Sequence, residues 1–139
     1  MARTTFSGPV VSLNGFIQGH QPTALNAINV TGTATAAQVA DGYITSTSAA
    51  PVTITLPTGT ALGTAIGASR GTVLDLFVDN TAGADVVTVA ASTNAVLSSA
   101  GVDTAGSFGD LTIAAGATGL ARFTLMFSSA TAYTFTRTA

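Results

Sequence analysis

From Val52 to Leu56 the chain alternates, with Val52, Ile54 and Leu56 apolar and Thr53 and Thr55 hydroxylic. A period of two with one apolar and one polar face predicts a half-buried strand, which Pro57 closes. The same period runs through Gly119–Ser128. Ala121, Phe123, Leu125 and Phe127 share one face there, while Leu120, Arg122, Thr124 and Met126 share the other. Tyr43–Ser48, Thr72–Asp79, Asp85–Ala91, Leu111–Ala114 and Ala132–Thr138 also predict strands, and Ala95–Ser98 a short strand or edge. Asn80-Thr81-Ala82-Gly83-Ala84 reads as the five-residue loop of a hairpin between Thr72–Asp79 and Asp85–Ala91. Ser129-Ala130-Thr131 reads as the turn joining the last two strands, and Asp103–Asp110 as a loop.

Two short helices interrupt the strands. Thr35–Ala40 has Thr35 as N-cap, Gln38 three residues on as its capping-box partner, and Gly42 to end it. Thr60–Gly67 places Ala61 over Ala65 and Leu62 over Ile66, at i, i+4 spacing. Thr23–Asn29 fits one helical turn or a strand. About seven or eight short strands, with turns every 8–12 residues, predict an all-β fold of β-sandwich or jelly-roll-like kind. The expected organisation is an extended N-terminal arm over 1–21 and a single β-rich domain over 22–139.

Composition supports the β reading. Only 7% of the 139 residues are charged, against about a quarter in ordinary soluble proteins. Every base is Arg and every acid is Asp, so the solvent-facing helix formers Lys and Glu are missing. The net charge of −2 offers no basic stripe for nucleic acid and no cationic cluster for an acidic membrane. Mean hydropathy is +0.53, yet no apolar run approaches the roughly 20 residues that span a bilayer. With no Cys, disulfides and thiolate chemistry are excluded.

The N-terminal stretch RTTFSGPVVSLNGFIQ (3–18) is apolar and free of acids, although chain termini are usually polar. It does not predict a secretory signal, because Ser7-Gly8-Pro9 and Asn14-Gly15 interrupt it. Two readings remain open. Residues 9–17 form the first strand of the domain, or Phe6, Pro9, Val10, Val11, Leu13, Phe16 and Ile17 form an arm that docks on another molecule by adding a strand to its sheet.

The inventory for catalysis is bare. His20 is the only histidine and lies in the exit from the arm, where an exposed linker residue is expected. Asp79–Asp85 lacks both the alternating ligands and the terminal Glu of a Ca²⁺ loop, so a turn is expected instead. The Gly-rich run Gly59–Gly71 lacks the Lys-Ser/Thr ending of a phosphate cradle. Leu56-Pro57-Thr58-Gly59-Thr60 has the wrong order for a sortase signal, and the Asn29-Val30-Thr31 sequon has no secretory signal to go with it. Arg122 and Arg137 are expected to balance Asp75 across a sheet. No enzyme, cofactor or metal is expected.

The segments TAAQVADGYITSTSAAPVTITLPTGTALGTAIGASRGTVLDLFVDNTAGADVVTVA (35–90) and LARFTLMFSSATAYTF (120–135) resemble small Thr/Ala-rich phage virion proteins, as ARTTFSGPVVSLNGF (2–16) resembles the leader of small phage head proteins. That resemblance implies a capsid decoration, or cement, protein on the capsid exterior. Such proteins bind the outer surface of the major capsid protein lattice, often as homotrimers, and carry no catalytic residues. A head- or tail-fibre subunit and a carbohydrate-binding β-sandwich for host attachment are the rival expectations. Against the last stand the absence of Trp and a count of only two Tyr.

Overall fold

The structure is a computed structural model and describes residues 26–97 and 111–139. The arm residues Phe6 to Ile17, His20, the residues 23–25 and the loop Asp103–Asp110 lie outside the described residues. In chain order the elements are β1 (Gly32–Thr33), α1 (Ala36–Ala40), β2 (Tyr43–Thr45), β3 (Val52–Thr55), α2 (Gly59–Ile66), β4 (Val73–Asp79), β5 (Val87–Ala90), β6 (Ala95–Leu97), β7 (Thr112–Ile113), β8 (Leu120–Ser129) and β9 (Ala132–Arg137). A 3-10 turn at Gly116–Thr118 precedes β8. The fold is β-rich, with two mixed sheets and few, short helices.

Up to β8 the chain passes from one sheet to the other with every strand. The four-stranded sheet has the order β1-β3-β5-β7, and the five-stranded sheet has the order β2-β4-β8-β9-β6. Consequently β1 with β3, β3 with β5 and β2 with β4 all pair in parallel. The antiparallel pairs are β4 with β8, β8 with β9 and β5 with β7. Inward residues of both sheets, among them Ile54, Val87 and Val89 on one and Leu76, Phe123 and Phe135 on the other, join a single hydrophobic cluster. Within it the rings of Phe127 and Tyr133 lie 5.3 Å apart and tilted by 45°, within the separation at which aromatic pairs attract.

The alternation read in the sequence decides which faces turn inward. Val52, Ile54 and Leu56 are buried, as are Ala121, Phe123, Leu125 and Phe127. The capping box of α1 is present in both directions: Gln38 N–H donates to Thr35 Oγ1 at 3.2 Å, and Thr35 N–H donates to Gln38 Oε1 at 2.8 Å. Thr58 caps α2, which starts at Gly59, one residue before the expected Thr60, through Ala61 N–H at 3.2 Å. Gly67, at φ +62°, ends it in the left-handed region. Gly63 lets α2 seat against the turn between β8 and β9, because a Cβ there would stand 1.9 Å from the carbonyl oxygen of Ala130. Tyr133 fastens the same corner, its hydroxyl donating to Pro57 O at 2.7 Å in the interior.

The hairpin expected across Asn80–Ala84 does not form, since β4 and β5 belong to different sheets. Two physical causes stand out. β8 lies beside β4 along its whole length, from Val73 opposite Met126 to Asp79 opposite Leu120, and occupies the place a hairpin partner would take. Asn80 is fully buried, and its side-chain amide donates to the carbonyls of Asp85 (2.9 Å), Ala114 (3.0 Å) and Ile113 (3.3 Å). Its backbone N–H donates to Gly119 O at 2.6 Å. Residues 80–86 are thereby bound to the ends of β7 and β8, and the loop becomes a corner between the sheets. Three lesser differences are the strand at Tyr43, which ends at Thr45, the strand after Leu111, which comprises Thr112–Ile113, and β1, which was not predicted.

Candidate docking surface

One face of the five-stranded sheet packs on the core, and the other carries more apolar surface than an outward face usually does. On β2, β4 and β8 the outward positions are Tyr43, Val73, Phe77, Leu120 and Met126, interspersed with Asp75, Asp79, Arg122 and Thr124. The large hydrophobics among them are between 36% (Tyr43) and 54% (Met126) exposed. The register makes them neighbours: Tyr43 lies beside Phe77, Phe77 beside Arg122, and Val73 beside Met126. Single exposed hydrophobics need no explanation; here two adjacent pairs, Tyr43 with Phe77 and Val73 with Met126, share one face across the polar row of Asp75, Arg122 and Thr124, which makes that face a candidate interaction surface. A groove of about 280 Å³ flanks the Met126 end, lined by Arg70, Gly71, Met126, Phe127, Ser128 and Thr134.

Polar groups on this face are tied to one another. The Tyr43 hydroxyl donates to Asp79 Oδ2 at 2.5 Å. Asp79 Oδ1 accepts from the backbone N–H and the hydroxyl of Thr81 at 2.9 and 2.6 Å. Those bonds from Thr81 and Tyr43 hold the Asp79 carboxyl below its ordinary pKa, and the bond to Asp79 raises that of Tyr43. Arg122 Nε lies 3.8 Å from Asp75 Oδ1, which also accepts from Thr124 Oγ1 at 2.7 Å. The expected partnership of Arg122 with Asp75 is therefore present. Arg137 instead donates to the carbonyls of Thr112 (2.9 Å) and Ala139 (3.0 Å).

Residues 26–28 border the surface. They run parallel to β2, with Thr45 N–H donating to Asn26 O at 3.0 Å and Ile28 N–H donating to Thr45 O at 2.9 Å. Asn26 Nδ2 donates to Asp41 Oδ2 at 3.0 Å, which fixes this entry point beside Tyr43.

The other motifs have structural uses. Asp79 and Asp85 cap turns, the latter accepting from Val86 N–H at 2.7 Å. The Gly-rich run builds α2 and its exit. Among the described residues no three His, Cys, Asp or Glu converge as metal ligands. Sequence reasoning missed Tyr43, Val73 and Phe77 as surface residues. For Leu120 and Met126 the signal was available, because they sit on the polar face of an otherwise alternating strand. No protein-family model, curated protein or solved structure matches this chain.

Proposed function

We propose that this chain is a structural protein of a phage virion, a capsid decoration or cement protein that binds the outer surface of the major capsid protein lattice and stabilises the head. The observation that carries the reading is a chain poor in charge that keeps Tyr43, Val73, Phe77, Leu120 and Met126 on an outward sheet face, bordered by residues 26–28. Such a protein needs many weak contacts rather than a catalytic centre. Phe6, Pro9, Val10, Val11, Leu13, Phe16 and Ile17 are the proposed docking arm, which lies along a capsid subunit and pairs with an exposed strand edge. Ordering an arm costs roughly 1–2 kcal/mol of backbone entropy per residue. Burial of large side chains, at about 1.5–3 kcal/mol each, offsets that cost. Repetition around the shell adds avidity. A homotrimer is the proposed assembly, and the two sheets sharing one core are read as the layers of a β-sandwich. The parallel pairs β1–β3, β3–β5 and β2–β4 set its connectivity apart from an antiparallel jelly roll.

Deletion of residues 2–17 tests the arm. The shortened protein is expected to keep its far-UV spectrum and a cooperative thermal transition while losing co-sedimentation with empty capsids. Normal decoration by the shortened protein would sink the arm. A second reading, a carbohydrate-binding module, draws on Tyr43 and Phe77 standing side by side and partly exposed near Asp79 and Arg122. Glycan-array binding that Phe77→Ser abolishes would favour it over decoration.

A further inference from the structure

The outward face of β2, β4 and β8 carries apolar side chains with no described neighbour above them, and the position of Asn26 limits what can cover it. The backbone of residues 26–28 is bonded along the free edge of β2, the outermost strand of that sheet. Because this pairing is parallel, the chain N-terminal to Asn26 leaves at the Tyr43 end of β2, level with Phe77. From there, residues 18–25 bridge at most about 28 Å. Crossing the five strands of the sheet takes roughly 19 Å at the usual inter-strand spacing. Residues 6–17 of the same chain therefore reach every part of the face.

Their chemistry matches it. Segment 6–17 holds no charged residue and offers Phe6, Val10, Val11, Leu13, Phe16 and Ile17. The face offers Tyr43, Val73, Phe77, Leu120 and Met126. The charge that precedes the segment is Arg3, opposite in sign to Asp75 and Asp79 on the face. Two apolar surfaces tethered by eight residues meet at a high effective concentration.

We propose that in the free protein residues 6–17 lie on the outward face of the five-stranded sheet of their own chain, covering both apolar surfaces until a binding partner displaces them. That the displacing partner is a capsid subunit rests on the decoration reading; the stowed arm itself does not. In the stowed state the arm and this sheet face shield each other from contacts with further copies, leaving other surfaces to form the proposed homotrimer, and docking frees both together.

The absence of native Cys allows a clean test by crosslinking the full-length chain in dilute solution. Leu13→Cys is paired with Leu120→Cys in one variant and with Met126→Cys in another, and each is treated with a short bis-maleimide. The expected product in at least one pair is a monomer bridged internally, read by intact mass and peptide mapping. Covalent dimers alone would overturn the proposal by making a second copy the occupant. Absence of any bridge in both pairs would overturn it too. A second measurement leaves the face intact apart from one residue. Phe16→Trp gives a single tryptophan whose emission is expected to be blue-shifted in the free protein and to move to the red on Phe77→Asp. Emission already at the solvent-exposed position without Phe77→Asp would contradict stowing. Failure of the unbridged parent protein to bind capsids, with the internal bridge forming in the Cys pairs, would count against the decoration reading and leave the stowed arm standing.

Discussion

Replacing Asn80 with Ala removes the one side chain that holds the corner between the sheets. Its amide carries two protons, which serve Asp85 O at 2.9 Å and Ala114 O at 3.0 Å, with Ile113 O as a longer third acceptor at 3.3 Å. The bond to Ile113 O is buried, and a buried carbonyl left without a donor costs about 1–3 kcal/mol, while the partly buried bonds to Asp85 O and Ala114 O contribute about 0.5–1.5 kcal/mol each. Together they give a destabilisation of about 2–6 kcal/mol, a large share of the 5–15 kcal/mol that typically separates folded from unfolded states. Urea unfolding followed by circular dichroism reads this as a lower midpoint at unchanged slope. Asn80→Asp sharpens the test, since a carboxylate there would face the same carbonyls in the interior. Burial raises its folded pKa above the unfolded value near 3.9, so the folded state holds the extra proton. The penalty is then absent below the unfolded pKa and grows as pH rises through the folded one. The Asp variant is expected to be less stable than the Ala variant at pH 7 and to recover on acidification. An Ala variant within about 0.5 kcal/mol of the parent would refute the role given to Asn80.

Gly63→Ala is expected to be among the most damaging single-methyl additions, because the new Cβ meets backbone at Ala130 rather than a side chain that can swing away. A loss of about 3 kcal/mol or more by the same urea assay is the expected result. Tyr133→Phe removes the donor to buried Pro57 O and is expected to cost about 1–3 kcal/mol. Burial also raises the Tyr133 pKa above its ordinary 10.0. Its contribution is full below pH 10 and is lost as pH rises beyond it, so the melting temperature of the parent is expected to fall with rising alkaline pH more than that of the Phe variant.

Much of the local structure was legible because local chemistry decides it. The alternation of β3 and β8, the capping box at Thr35 and the helix above Leu62 all depend on residues within a few positions of one another. Strand adjacency does not. Asp79 and Asp85 looked like the two ends of a hairpin, yet their strands are separated by an amide whose acceptors include Ile113 and Ala114, more than thirty positions away. The candidate docking face was half legible for a related reason. Leu120 and Met126 break the polar face of an alternating strand, and Val73 and Phe77 alternate with Asp75 and Asp79 on one face of β4 while Leu74, Leu76 and Val78 share the other. Only the register with β2 and β8 sets Phe77 beside Tyr43 and Val73 beside Met126. Asn26 beside Tyr43 was illegible, because it rests on an isolated bridge to Thr45.

The most direct test of the decoration reading is a titration of the full-length protein onto empty, expanded phage capsids lacking it, with pelleted protein quantified and the free protein sized by gel filtration. The account predicts saturable binding at a fixed number of copies per major capsid subunit, an oligomer in the free protein, and raised resistance of the decorated shells to heat. Protein that stays in the supernatant at every concentration, with shell stability unchanged, would contradict it.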